Sequence, residues 1–73
     1  MTKKEIKQVV KEHGYTMITP SFYTGKYGII CNLYNRYGEV YKLYVAHHKG
    51  FATLQPLSDV AVHDDWSVKD WFN

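Results

Sequence analysis

The sequence predicts an α+β domain: an N-terminal amphipathic helix packed on a three- to four-stranded antiparallel meander, followed by a short aromatic C-terminal helix. Three observations carry the prediction. A capping box opens a run of apolar residues at helical spacing, the period changes to two beyond Gly14, and glycine-bearing turns then fall at hairpin intervals. The 73 residues leave room for one domain, spanning 1–73, because domains usually take roughly 100 to 200 residues. A chain of this size buries only about 60% of the surface it exposes when unfolded, so its stability should be small and dimerisation would help it.

Thr2 and Glu5 form the capping box, each side chain satisfying an orphaned backbone N–H of the first turn. Ile6, Val9, Val10 and His13 follow at i, i+3, i+4 and i+7, which sets one apolar stripe toward a core. The helix should run from Lys3 to about His13, with Gly14 closing it in the left-handed conformation. Lys4, Lys7 and Lys11 lie on its outer side.

Beyond Gly14, Tyr and β-branched residues alternate between short turns. Thr24-Gly25-Lys26-Tyr27 fits a two-residue hairpin loop with Gly at the first central position, where positive φ is needed. That turn pairs Phe22 with Ile29 and Ile18 with Leu33. Asn35-Arg36-Tyr37-Gly38 reads as a type I turn ending in a Gly bulge, which pairs Asn35 with Glu39, Cys31 with Leu43 and Ile29 with Val45. A fourth strand, Phe51 to Gln55, follows a turn at Lys49-Gly50, sets Leu54 opposite Val45, and stops where Pro56 removes a ladder donor.

Residues 57–63 carry mixed signals and read as irregular. Asp64 or Asp65 then caps a last short helix whose Val68, Trp71 and Phe72 fall at i, i+3 and i+4. Burying one Phe-sized side chain gains about 1.5 to 3 kcal/mol, so this aromatic end should dock on the body.

Few residues suggest catalysis, metal or cofactor chemistry. Cys31 is the only thiol, and in the predicted register its paired strand brings no histidine near it. His47 and His48 are adjacent, so in a strand they point to opposite faces and cannot chelate one ion together. Asp64-Asp65 is more simply a helix cap than an acid-base pair, and Gly25-Lys26 lacks the spacing of a phosphate-binding loop. The reading is therefore a non-catalytic protein with no cofactor, no metal site and no evident small-molecule substrate. One cysteine, no apolar run long enough to span a bilayer and no leader pattern predict a cytoplasmic protein without a membrane partner.

The total charge of +2 conceals an asymmetry: residues 1–49 hold eight Lys/Arg against three Glu, whereas residues 50–73 hold Lys69 against Asp59, Asp64, Asp65 and Asp70. If Phe22, Ile29, Cys31, Leu33, Tyr41, Leu43 and Val45 face the helix, the other face carries Met17, Tyr23, Ile30, Asn32, Tyr34, Val40, Lys42 and Tyr44. Tyrosine offers large apolar area and a hydroxyl with only two torsions to order, a combination enriched in recognition surfaces. The expected use is a protein-interaction or inhibitory module, or a self-associating one, whose partner-binding residues are Tyr23, Tyr34, Lys42, Tyr44 and Arg36. The alternative is single-stranded nucleic-acid binding, with tyrosines stacking on bases and Lys26, Arg36 and Lys42 on phosphates. A third arrangement would fold the segment from Trp66 to Phe72 across this face and hide it.

Overall fold

A computed structural model describes residues 2–48, 51–57 and 66–72. Helix α1 (Lys3–Glu12) precedes strands β1 (Tyr15–Thr24), β2 (Gly28–Asn35), β3 (Val40–Ala46), β4 (Ala52–Pro56) and β5 (Trp66–Ser67), and a 3-10 turn (Lys69–Phe72) closes the described chain. The strands form one antiparallel sheet in the order β1-β2-β3-β4-β5. The class is α+β, with one strand more than the largest number expected.

The helix starts as the sequence requires. Glu5 N–H donates to Thr2 Oγ1 at 3.2 Å while Thr2 N–H donates to Glu5 Oε1 at 2.9 Å. Ile6 and Val10 are fully buried beneath the first and last turns. His13 caps the C-terminal end, and Gly14 at φ 87° turns the chain into β1.

The second hairpin keeps its expected register. Gly38 N–H donates to Asn35 O at 3.0 Å, Asn35 N–H donates to Glu39 O at 3.0 Å, and Gly38 has φ 82°. Cys31 accordingly faces Leu43 and Ile29 faces Val45.

The first hairpin differs. Thr24 pairs with Ile29 and Phe22 with Cys31, so the loop is the four residues 25–28, closed by Gly25 N–H donating to Gly28 O at 2.8 Å. Further along, Ile18 pairs with Asn32 rather than Leu33, because Thr19-Pro20-Ser21 is extruded between Ile18 and Phe22. Pro20 has no N–H to give to a ladder, so a bulge at an edge strand is where it fits. The displacement moves Met17 opposite Leu33 and into the core, not onto the outer face.

In β4, Leu54 opposes Leu43, and Ala52 takes the place opposite Val45; the two-residue offset leaves the inward residues inward. Pro56 stays within the strand as its last residue. The Lys49-Gly50 turn, residues 58–63 and the Asp64 or Asp65 cap lie outside the described residues. The expected short aromatic C-terminal helix is present as the 3-10 turn, shorter than expected because a two-residue strand on the β4 edge, with Trp66 opposite Leu54, takes its first residues. Val68 N–H donates to Ala52 O at 2.9 Å, which drives Val68 into the core.

One layer of apolar side chains holds these elements together. Ile6 and Val10 of α1 meet Met17, Ile29, Cys31, Leu33, Leu43, Val45, Ala52 and Leu54 of the sheet, and Val68 joins them from the C-terminal segment. The helix lies over β1, and the 3-10 turn touches both α1 and β4. Trp71 joins the end of α1 to the start of β1, stacking on His13 with centroids 4.4 Å apart and packing on Tyr15 at 5.4 Å. The C-terminal aromatics thus cover the inner face.

Candidate functional site

Because side chains alternate along a strand, the pairings sort the outward residues into cross-strand rows. The first row runs Tyr23, Ile30, Tyr44, Thr53, Ser67. The second is Ile18, Asn32, Lys42, Gln55, and the third is Thr16, Tyr34, Val40, which Leu57 extends by donating its N–H to Val40 O at 3.1 Å. Neighbours within a row sit about 4.8 Å apart and successive rows about 7 Å apart. A polar row, Asn32-Lys42-Gln55, therefore lies between two largely apolar ones.

The apolar rows are open. Tyr23 is 64% exposed, Ile30 and Tyr34 41% each, and Val40 39%. These are high values for large side chains on a structured sheet, and α1 and the 3-10 turn both pack on the opposite side.

Tyr44 is the fixed point of the surface. Its ring lies against Gly28: a Cβ at that glycine would sit 3.0 Å from Tyr44 Cζ and Oη and 2.5 Å from Val45 O. The hydroxyl stands 3.5 Å from Tyr27 O, at the limit of a hydrogen bond, and Phe51 meets the ring edge-on at 5.8 Å. Two shallow hollows flank it. One of about 330 Å³ opens between Tyr23, Ile30, Tyr44 and the 25–28 loop; another of about 250 Å³ lies among Ile30, Lys42, Tyr44, Phe51, Thr53 and Gln55.

The five residues singled out from the sequence do not all gather here. Tyr23 and Tyr44 share the first row, Lys42 is central in the second, and Tyr34 is in the third. Arg36 is apart from them. It occupies the β2–β3 turn, stacks over Tyr37 at 6.0 Å and reaches toward Gly14 at the end of the helix, where a Cβ would lie 3.7 Å from its Nη2. Lys26 stands at the rim, over the Tyr27 ring at 5.4 Å. Phe51, Thr53 and Gln55 belong to the surface although sequence reasoning did not include them. Their alternation with Ala52 and Leu54 was the signal available.

The other reactive side chains sit elsewhere. Cys31 is fully buried, and that burial pushes its thiol up to about 11. A thiol held in its protonated form is a poor nucleophile. His47 ties two loops together, its Nε2 2.8 Å from Gly25 O and its backbone N–H donating to Tyr27 O at 3.0 Å. Among the described residues no group of three or more His, Cys, Asp or Glu is arranged to hold a metal ion, and no helix is long and apolar enough to cross a membrane. No family model, curated protein or solved structure matches the chain. The functional reading accordingly rests on this surface.

Proposed function

We propose that the protein is a small non-catalytic module that binds a protein partner through the outer face of its sheet, either as an adaptor or by blocking a surface of that partner. The observation that carries this reading is the exposure of Tyr23, Ile30, Tyr34 and Val40 in two cross-strand rows, with the half-buried Tyr44 set beside Ile30. Exposed contiguous apolar area on a small domain is costly to solubility and is retained where a partner covers it. Tyrosines held by strands lose little further freedom on binding, so more of the buried area appears as affinity.

A protein fits this surface better than a nucleic acid. Only Lys42 lies within the rows, Lys26 is at the rim and Arg36 is at the far end on the helix side. A tracked phosphate backbone calls for several cations along one path. The lone, buried thiol of Cys31 suits a reducing compartment, and action in the cytoplasm is assigned on that ground.

The test is affinity capture from native lysate with and without nuclease, using the wild-type chain and the double variant Tyr23→Ser/Tyr34→Ser. A nuclease-resistant protein retained by the wild type and lost by the folded variant supports the proposal. Capture that disappears with nuclease, or that the variant leaves unchanged, refutes it.

A further inference from the structure

The polar row between the two apolar ones has no counterpart within the described chain. Asn32, Lys42 and Gln55 are cross-strand neighbours on three adjacent strands, each half-buried. No side-chain hydrogen bond or ion pair to a described residue engages any of them. The described carboxylates stand elsewhere: Glu5 and Glu12 on the helix, Glu39 in the β2–β3 turn and Asp70 in the 3-10 turn. Among the described residues the outer face thus presents one cation flanked by two carboxamides, all able to donate, with no acid beside them.

Such a row has a cost if a partner covers it with apolar groups only. Lys42 would lose water and gain nothing, and an unpaired cation removed from water is among the most expensive events at an interface. A carboxylate seated on it would accept from the ammonium and from the amide N–H groups on either side. The rows on either side lie about 7 Å away, the spacing of residues i and i+2 in an extended chain.

We propose, building on the protein-binding reading above, that the partner presents an Asp or Glu side chain to Asn32-Lys42-Gln55, flanked by apolar side chains that cover Tyr23-Ile30-Tyr44 and Tyr34-Val40. The recognised chemistry is an extended protein segment that carries an acid with an apolar residue two positions to either side of it, so that all three face the sheet. The apolar rows supply contact area, and the polar row supplies register and selects against partners without an acid.

The experiment selects a random heptapeptide phage library on the full chain, counter-selects on Tyr23→Ser/Tyr34→Ser, and titrates the synthesised winners into 15N-labelled protein. Winners should contain Asp or Glu with apolar residues two positions to either side and should shift the side-chain NH2 signals of Asn32 and Gln55. Lys42→Gln should weaken binding by about tenfold, as should replacing the peptide acid by its amide, and raising salt should weaken the wild-type complex. Lys42→Met serves if Lys42→Gln does not fold, and the peptide substitution leaves the protein untouched in either case. Winners that shift the tyrosine rows but lack an acid, with Lys42→Gln neutral, overturn this inference and leave the protein-binding reading standing. An absence of winners, or shifts of the face produced only by a 12-nucleotide oligothymidine, overturns both.

Discussion

Gly28 and Gly38 are both needed by the sheet, for different reasons. Gly38 has φ 82°, and nothing lies within 4 Å of the Cβ it lacks, so alanine there meets only backbone strain, roughly 1 to 2 kcal/mol. At Gly28 the obstacle is space, since a Cβ would press within 2.5 Å of Val45 O and 3.0 Å of the Tyr44 ring. Backbone cannot yield as a flexible side chain does. Gly28→Ala is therefore expected to lower the urea midpoint more than Gly38→Ala and to shift the Tyr44 ring signals; the reverse order would contradict the packing described. Cys31 gives a second residue-scale prediction. Burial raises its folded-state value from 9.0 to about 11, so the thiol form favours the fold below pH 9, and that contribution is lost as pH rises through about 11. Iodoacetamide should label the native protein slowly at pH 8 and the urea-unfolded chain rapidly. Equal rates would place the thiol at the surface.

At the scale of elements, the helix and the second hairpin are the parts most legible in the sequence, because each is specified locally. Thr2 and Glu5 settle where α1 begins, and Asn35 with Gly38 settles the β2–β3 register. Removing the cap by Thr2→Ala should cost about 1 kcal/mol in thermal or urea unfolding, and no change would mean the cap is redundant. Accepting the Thr2 backbone N–H holds the Glu5 carboxyl below its ordinary 4.5. Its share of the cap is present above that value and fades as pH falls through the lowered one. The first hairpin was less legible, since a two-residue and a four-residue loop around Gly25 fit the same letters and the Thr19-Pro20-Ser21 bulge offsets the pairing again. That offset decides whether Met17 or Ile18 enters the core, and only packing against Leu33 chooses. The end of the chain was legible in part: the short aromatic helix is there as the 3-10 turn, whereas the strand before it was not read, for a related reason. Val68, Trp71 and Phe72 have helical spacing, but Lys69–Phe72 is too short to be more than a 3-10 turn, and Trp66 becomes a strand only because the β4 edge is there to pair with. Of the candidate surface, Tyr23, Tyr34, Lys42 and Tyr44 follow from strand alternation, whereas the departure of Arg36 toward Gly14 is a tertiary matter.

Among the described residues the molecule is a single sheet with one face committed to folding and the other left free of the helix and the 3-10 turn. On the committed face, the helix and the C-terminal segment close a small core, and neither alone spans it. Deleting residues 66–73 would strip Val68, Trp71 and Phe72 from that core and expose the β4 edge to pairing with another chain. The truncated protein should melt at lower temperature or elute as oligomers in light-scattering chromatography; an unchanged melting curve and a monomeric profile would refute the closure described. On the free face, the spacing of apolar and polar rows follows from the same pairings that bury Ile29, Cys31, Leu33 and Leu43 beneath it. The openness of that face is the claim on which the functional account depends. A soluble gadolinium chelate tests it directly through the paramagnetic relaxation of methyl signals in the free protein. The account predicts strong attenuation at Ile30 and Val40 and little at Ile29 and Leu43; Ile30 and Val40 as protected as the core would contradict it.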